Sequence, residues 1–536
     1  MVKYILNSMR SYTASSDEKW RGYTLFFFAL TVVTRLPFRS HLLYDHDSVQ
    51  FALGLREYDV YLHQPHPPGY FLYVHTAKLL NFFLGDANSS FVWISVIASA
   101  CAVAAIYNLG SAMFNRQDGW WAAILALISP IFWFFGEVAL SYTVAAFFSS
   151  IIALGAWRII NGDDRWIYPL TIILGIAAGF RQDLGLFLGP LWLFVIARRN
   201  WRILVSAFLV LLLTITLWFI PMLIATGGAT RYFAATSELW RYNNDSSAIW
   251  HAAPATRIDT LLTLAGVLSY GIGLGAIFLI FAGYIVLRKR EWSFLQRERV
   301  YLLLIWLAPA LLFFTVVFIP PYKYSYGLVL LPALYILTPS AVRHVVTLAE
   351  NWAASVNLRL AHAPAIILAL FVVSNSAVFC LSNGGFSING LRTHERLLTM
   401  IFAGLRQNFP SEGTLILGRQ RSTFSGFRHV QYYLPEYKVY LADQQEDVHG
   451  QKWHAFGARD GKTILSDEID IPPDTKRIVF LADPYFPESN EDLKKMNLRS
   501  VRLSPDYAIF YRDTDQSTQR RARVVPSTKL QTIGQD

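Results

Sequence analysis

Charge is scarce in this sequence. Of 536 residues only 16% are Asp, Glu, Lys or Arg, against about 25% in an ordinary soluble domain. That scarcity excludes a conventionally solvated globular chain. Cysteine is scarcer still: Cys101 and Cys380 both fall inside apolar segments, which excludes a disulfide framework and a thiolate metal site. No internal repeat is visible, and no glycine-rich phosphate loop stands out. The first 22 residues are polar with scattered charges and carry no cleavable signal pattern, so the first apolar run is expected to stay as an uncleaved anchor.

What is present is apolar surface. The chain is 54% hydrophobic with mean hydropathy +0.34, the composition of a polytopic membrane protein. Clear apolar runs cover 23–37, 91–113, 119–135, 142–160, 203–225, 259–287, 300–319 and 363–383, with shorter ones at 167–179, 185–197 and 327–340. The stretch 70–84 carries His75 and Lys78 and is short. The positive-inside rule decides its placement. If 70–84 lies along the interface and the N-terminus is inside, the inner loops and tail hold sixteen Lys and Arg and the longer outer loops eight. If it spans, every later loop changes sides and the rule is violated. The expectation is therefore about eleven transmembrane helices, N-terminus cytoplasmic and C-terminus extracytoplasmic. The net charge of +10 then belongs to membrane topology and does not point to nucleic acid.

The expected organisation is a cytoplasmic tail over 1–22 and a transmembrane domain over 23–383. Residues 38–90 form its first outer loop and 226–258 a second, lid-like one. Residues 384–515 read as a small extracytoplasmic α/β domain. Helix-like stretches at 392–409 and 427–434 alternate there with strand-like 414–417, 438–441, 477–481 and 507–511. Residues 516–536 are polar and expected to be disordered. The segment 227–258, with Trp240, Tyr242, Trp250 and His251, reads either as a lid or as an interfacial amphipathic helix.

On this topology the outer face holds nearly all candidate chemistry. The densest stretch runs from Tyr44 to Tyr70. Asp45 and Asp47 stand two residues apart before an amphipathic helix expected over 48–57. His63-Gln64-Pro65-His66-Pro67-Pro68-Gly69-Tyr70 follows, where three prolines forbid helix and hold the backbone extended. A carboxylate at an outer membrane face can take the proton of an attacking hydroxyl, and His, Arg or Lys can steady a departing phosphate. Each residue also has a plainer reading. Asp45 or Asp47 can simply cap the helix. His63 reads as a metal ligand with Asp47 or as a loop histidine bonded to backbone. Arg181 and Asp183, in the turn between the two short runs, read as a phosphate site or as a structural pair in the bundle. Lys323 and Tyr324, within Pro320-Pro321-Tyr322-Lys323-Tyr324, read as phosphate and sugar contacts or as an interfacial belt.

The arrangement Tyr44-Asp45-His46-Asp47-Ser48, His66-Pro67-Pro68-Gly69-Tyr70 and Glu137 within Phe135-Gly136-Glu137-Val138 resembles the GT-C class of membrane glycosyltransferases. Within it the likeness is to the protein O-mannosyltransferase and aminoarabinose-transferase branch, over roughly 23–340 in layout. The resemblance implies a polyprenyl-phosphate-linked sugar donor and inverting transfer to a lipid, glycan or protein hydroxyl outside the cytoplasm, at a plasma (inner) membrane. It implies Asp45 as catalytic base, with Asp47 an alternative, and Glu137 orienting the acceptor or bracing the first loop. His66 then contacts the lipid phosphate beside Tyr70, at a place where the aminoarabinose branch has Lys. His63, Arg181, Lys323 and Tyr324 are added as substrate contacts on the residues alone. No cofactor is required, and a divalent cation is left open. The rival reading is a transporter or flippase with Asp45, His66 and Arg181 as a relay. It is disfavoured because polar groups gather at one face and no paired repeat appears.

Overall fold

The structure, a computed structural model, describes residues 20–251, 254–289, 296–318, 323–353, 362–419, 426–442, 468–470, 472–482, 493, 498–514, 521–524 and 530–532. The expected tail up to residue 19 and Pro320-Pro321-Tyr322 lie outside the described residues. The chain is mostly helical with a small sheet near its C-terminus.

Among the described residues, five helices are long and apolar enough to cross a bilayer: Ala87–Met113, Tyr142–Ile160, Trp201–Ala225, Arg297–Val317 and Ala363–Leu381. A sixth results if Arg257–Ile272 and Gly275–Ile285, bent by 110°, count as one. The expected eleven also counts apolar runs that are short or broken as helices. Ile167–Phe180 and Asp183–Ile196 have 14 residues each, which is about 21 Å at 1.5 Å per residue against a hydrocarbon core of about 30 Å. The run 119–135 is split into Arg116–Ile128 and Pro130–Phe135. Ser129 at ψ 123° is driven out of the helical region by the ring of the proline behind it. The run 259–287 turns at Gly273, whose φ of 54° favours glycine and whose amide donates back to the Leu268 and Ser269 carbonyls, a helix-ending arrangement. Leu331–Ala353 runs on as helix through much of what reads in sequence as a polar loop at 341–362.

The chain folds into two compact units. The first comprises the chain up to Arg39, Ser89–Trp218 and Ala252–Leu391. Its helices approach closely where side chains are absent: a Cβ on Gly110 would lie 3.0 Å from the Gly119 Cα, and one on Gly119 would lie 2.6 Å from the Tyr107 carbonyl oxygen. Buried polar groups bond across helices. Trp306 Nε1 donates to Ser149 Oγ at 2.8 Å, which donates to the Val329 carbonyl at 2.7 Å.

The second unit comprises Ser40–Asn88, Phe219–His251 and the chain from Arg392 onward. The segment expected to form the first outer loop thus belongs to one compact unit with the C-terminal α/β portion. Five strands, β1 (Thr414–Arg419), β2 (Lys438–Ala442), β4 (Arg477–Phe480), β5 (Arg499–Ser504) and β6 (Tyr507–Asp513), form a sheet in the order β2-β1-β4-β6-β5. β1 lies parallel to β2 and β4, and β6 antiparallel to β4 and β5. The helix Gly426–Tyr433 connects β1 to β2, making the expected βαβ step. Leu405 of helix Ile388–Asn408 and Phe409, just past its end, share one buried core with Leu415, Leu417, Val479 and Ile509. A three-stranded sheet joins β3 (Glu468–Asp470), β7 (Arg521–Val524) and β8 (Leu530–Thr532). Two strands therefore fall in the segment expected to be disordered. Their alternating, Val-containing stretch Arg-Ala-Arg-Val suits a strand edge.

Gly119→Ala should destabilise the purified protein by about 1–3 kcal/mol through overpacking, while Gly189→Ala, with nothing within 4 Å of the new methyl, should not. Thermal melts in one detergent compare them. Equal melting temperatures for the two variants would contradict the close Gly110–Gly119 approach.

Candidate functional site

Asp45 opens the helix His46–Arg56, two residues earlier than the sequence suggests. Its backbone is extended, φ −118° and ψ 166°. Its carboxylate Oδ1 accepts from the His46 amide at 2.6 Å, and the Asp45 amide donates to Ser48 Oγ at 3.3 Å. The Asp45 side chain also accepts from the Ser48 amide, which with the bond to Ser48 Oγ makes a reciprocal capping box. The plainer reading of Asp45 is therefore present in the structure: it caps. The cap also fixes where the carboxylate stands, at the positive end of a helix dipole.

Asp47, in the first turn, faces the proline-rich loop. His66 Nδ1 lies 3.8 Å from Asp47 Oδ1, both side chains being mostly buried. The His66 ring packs against Tyr70 at 4.8 Å and Phe51 at 5.3 Å between centroids. The loop is a tightly determined object. Asp59 and Gln64 exchange both backbone bonds, at 2.7 and 2.9 Å. Asp59 caps the short helical turn Val60–Leu62 through the Tyr61 amide and pairs with Arg231 of helix Ala229–Ser247 at 2.6 Å. Burial raises the Asp59 carboxyl above the usual range, against the lowering pull of the Tyr61 amide and Arg231. The bonds Gln64–Pro65 and Pro67–Pro68 are cis.

Two residues in this loop, His63 at φ 56° and Tyr70 at φ 46°, take the left-handed conformation without being glycine. Such bulky outliers cost free energy and persist only where surroundings impose them. Tyr70 stands at the N-terminus of helix Phe71–Leu84. Before it, Gly69 has no room for a side chain: a Cβ would meet Met222 Sδ and Tyr58 Oη, each at 2.9 Å. Among the described residues no group of three or more His, Cys, Asp or Glu side chains is placed to hold a metal ion. The carboxylate of Asp47 has His66 as an ion-pair neighbour.

The residues that sequence reading missed come from the C-terminal part of the same unit. Glu395 accepts from the His41 amide at 2.5 Å. Tyr433 Oη accepts from the Leu43 amide at 2.8 Å. His429 Nε2 bonds the Leu43 carbonyl at 3.1 Å, and His394 Nε2 the Tyr44 carbonyl at 2.8 Å. Arg428 Nη2 donates to the Leu62 carbonyl at 3.3 Å. A signal for two of them exists: His394 and Glu395 fall on the helical period of buried Leu391, Leu398, Ile401 and Leu405, so two polar residues sit on a core-facing stripe.

The remaining candidates belong to the first unit. Glu137 is fully buried and within electrostatic reach of the fully buried Arg35. Arg35 donates Nη2 to the Leu127 carbonyl at 2.6 Å and lies over the Trp133 ring. The Glu137 turn is tied down by Ser95 Oγ, which meets the Val138 and Leu140 carbonyls at 2.8 and 2.9 Å. Arg181 is buried. It bonds Asp183 through Nε (3.2 Å) and Nη2 (2.7 Å), bonds Ser141 Oγ through Nη1 (3.0 Å), and stacks over Tyr142. The structural Arg181–Asp183 pair is thus formed, and it joins the turn that carries Glu137. Lys323 and Tyr324 are half-buried, and the Tyr324 ring packs on Phe386 at 5.5 Å and Tyr270 at 6.0 Å. The structure brings Asp45, Asp47, His63, His66 and Tyr70 together in one unit, and Glu137, Arg181, Lys323 and Tyr324 in the other.

Residues 65–224 match the family described as dolichyl-phosphate-mannose-protein mannosyltransferase. Among solved structures, ArnT from Cupriavidus metallidurans in the apo state is similar at 13% identity and TM-score 0.55, over 93% of this chain and 98% of that one. The same protein bound to undecaprenyl phosphate gives 14% identity and TM-score 0.55, over 92% and 98%. The oligosaccharyltransferase AglB from Archaeoglobus fulgidus, in complex with an inhibitory peptide and a dolichol-phosphate, gives 12% identity and TM-score 0.45, over 92% of this chain and 74% of that one. A search of curated protein sequences returned no match.

Burial holds the His394 imidazole below its ordinary value of 6.5, against the opposing pulls of the Tyr44 carbonyl and of Asp45 and Glu395. The unfolded chain therefore takes up this proton first as pH falls, and stability present near neutrality is lost below about 6.5. His394→Gln should flatten the fall in melting temperature between about pH 7.5 and 5.5; an unchanged slope would contradict this assignment.

Proposed function

We propose, from the match of residues 65–224 to the family described as dolichyl-phosphate-mannose-protein mannosyltransferase, that this chain is an integral-membrane glycosyltransferase of the GT-C class. It moves a sugar from a polyprenyl-phosphate donor to an acceptor hydroxyl on the extracytoplasmic face, with inversion. The observation that carries this reading is the placement of Asp45, Asp47 and His66 on one capped helix and its facing loop, next to the family-matched segment. That segment contains His66, Tyr70, Glu137 and Arg181. The shared fold with a protein solved bound to undecaprenyl phosphate supports the donor class.

The reaction follows from the groups. The acceptor oxygen attacks the anomeric carbon and its proton passes to the Asp45 carboxylate. The bond from that carbon to the phosphate oxygen breaks, and the polyprenyl phosphate leaves with the electron pair. A single displacement inverts the centre. His66, whose Nδ1 lies 3.8 Å from Asp47 Oδ1, is assigned to the phosphate. Asp47 is the alternative base. His63 and Tyr70 frame the donor pocket from their strained positions. Glu137 is assigned to orienting the acceptor or bracing the first loop and, on the residues alone, Arg181, Lys323 and Tyr324 to substrate contacts. We assign eleven spans, an inner-membrane location, a cytoplasmic N-terminus and an extracytoplasmic C-terminal domain over 384–515.

Purified protein in proteoliposomes, given polyprenyl-phosphate sugars, should release polyprenyl phosphate and label an acceptor lipid, glycan or protein. Asp45→Asn should lower turnover by roughly 10²–10⁴-fold; transfer at the normal rate would remove the base assignment. Arg181→Ala should raise the donor KM more than it moves the pH profile. An untouched donor KM would leave Arg181 as the structural partner of Asp183.

A further inference from the structure

The segment from Arg39 to Asp45 has no helix or strand of its own, so its amides and carbonyls need partners from elsewhere. Three consecutive stations are met by side chains of two C-terminal helices, Ile388–Asn408 and Gly426–Tyr433. These are the His41 amide by Glu395, both polar groups of Leu43 by Tyr433 and His429, and the Tyr44 carbonyl by His394. Glu395 is itself held by Arg392 at 2.6 Å. His394, Glu395 and His429 are 8%, 7% and 1% exposed. Burying three such side chains is expensive unless their hydrogen bonds are made, and here they are spent on the main chain leading into the site.

We propose that the C-terminal α/β domain sets the direction of the Asp45 carboxylate, with His394 as its principal positioning residue. The geometry is specific. The Tyr44 carbonyl and the Asp45 amide belong to one planar peptide unit. His394 holds its oxygen at 2.8 Å and Ser48 Oγ holds its nitrogen at 3.3 Å. With both ends of that peptide pinned and the Asp45 carbonyl accepting from the Val49 amide at 3.2 Å, the Asp45 Cα–Cβ bond has a fixed direction, and the cap at the His46 amide fixes the carboxylate about that bond. The Tyr44 ring, 4.8 Å from the His394 ring, keeps the imidazole over the peptide. A histidine in the last third of the chain therefore acts on Asp45 through the main chain and without touching substrate. This inference rests on the assignment of Asp45 as base.

The test uses the full-length protein in nanodiscs with two readouts. His394→Leu removes the donor to the Tyr44 carbonyl; His394→Gln restores an N–H at similar reach. In His394→Leu, amide hydrogen exchange over 41–49 should rise roughly tenfold while β1 and β4 stay protected. Its kcat should fall roughly 10–100-fold with the donor KM within about twofold. His394→Gln should recover most of both. Unchanged exchange over 41–49, or equal loss of kcat in the two variants, would overturn the proposal. Exchange that responds as expected in a protein with no transferase activity would uphold the clamp and sink the functional reading alone. If His394→Leu also unprotects β1, Tyr433→Phe, which removes only the acceptor for the Leu43 amide, carries the same exchange and kcat criteria.

Discussion

A chain segment that leaves regular structure still carries one donor and one acceptor per residue, and burial makes each of them costly to leave unmet. In this protein that constraint falls on the few residues between the first helix and Asp45. Their hydrogen bonds are supplied by glutamate, tyrosine and histidine side chains that lie about 350 to 390 positions later in the chain. The capping box at Asp45, the Asp47–His66 approach and the placement of the proline-rich loop all build on that anchored strip. Loop and C-terminal sheet consequently belong to one compact unit, although hydropathy alone would divide the chain into a membrane part and a separate appended domain.

The first unit solves a related problem with charge. Arg35 and Glu137 are both fully buried, and neither would be tolerated alone in such surroundings. Glu137 sits on a turn whose carbonyls are held by Ser95, and Arg181 reaches that turn through Ser141 while paired with Asp183. The ionisable groups that looked isolated in sequence are thus parts of local networks. Any role in binding substrate would be added to a structural one already in place.

Some of this was legible beforehand. Apolar runs located most helices, because burial and bilayer residence both demand them. Asp45 and Asp47 both read as caps of a helix from 48, and the helix starts at His46 behind Asp45. Strands β1, β2, β4 and β6 stood out by their apolar alternation. β5 did not, since Arg499–Ser504 lies at the sheet edge and exposes much of its surface. Other features were hidden for physical reasons. A run of apolar residues looks the same whether it crosses once, stops at Pro130 or doubles back at Gly273. The left-handed backbone at His63 and Tyr70 is imposed by packing around them, and neither residue type announces it. His394 and Glu395 were readable in principle, because polar residues on a core stripe need a reason. The reason lay far away in the chain, where no local pattern reaches.

The ion pair between Asp59 and Arg231 has a consequence for motion. Asp59 lies mostly out of water, and its backbone neighbours tie it to the turn that precedes the proline-rich loop. Were helix Ala229–Ser247 to swing away on its own, it would strand a carboxylate in a poorly solvated place. The cheaper route is for helix and loop to travel as one piece, so that whatever moves the helix carries the proline-rich loop and His66 along with it.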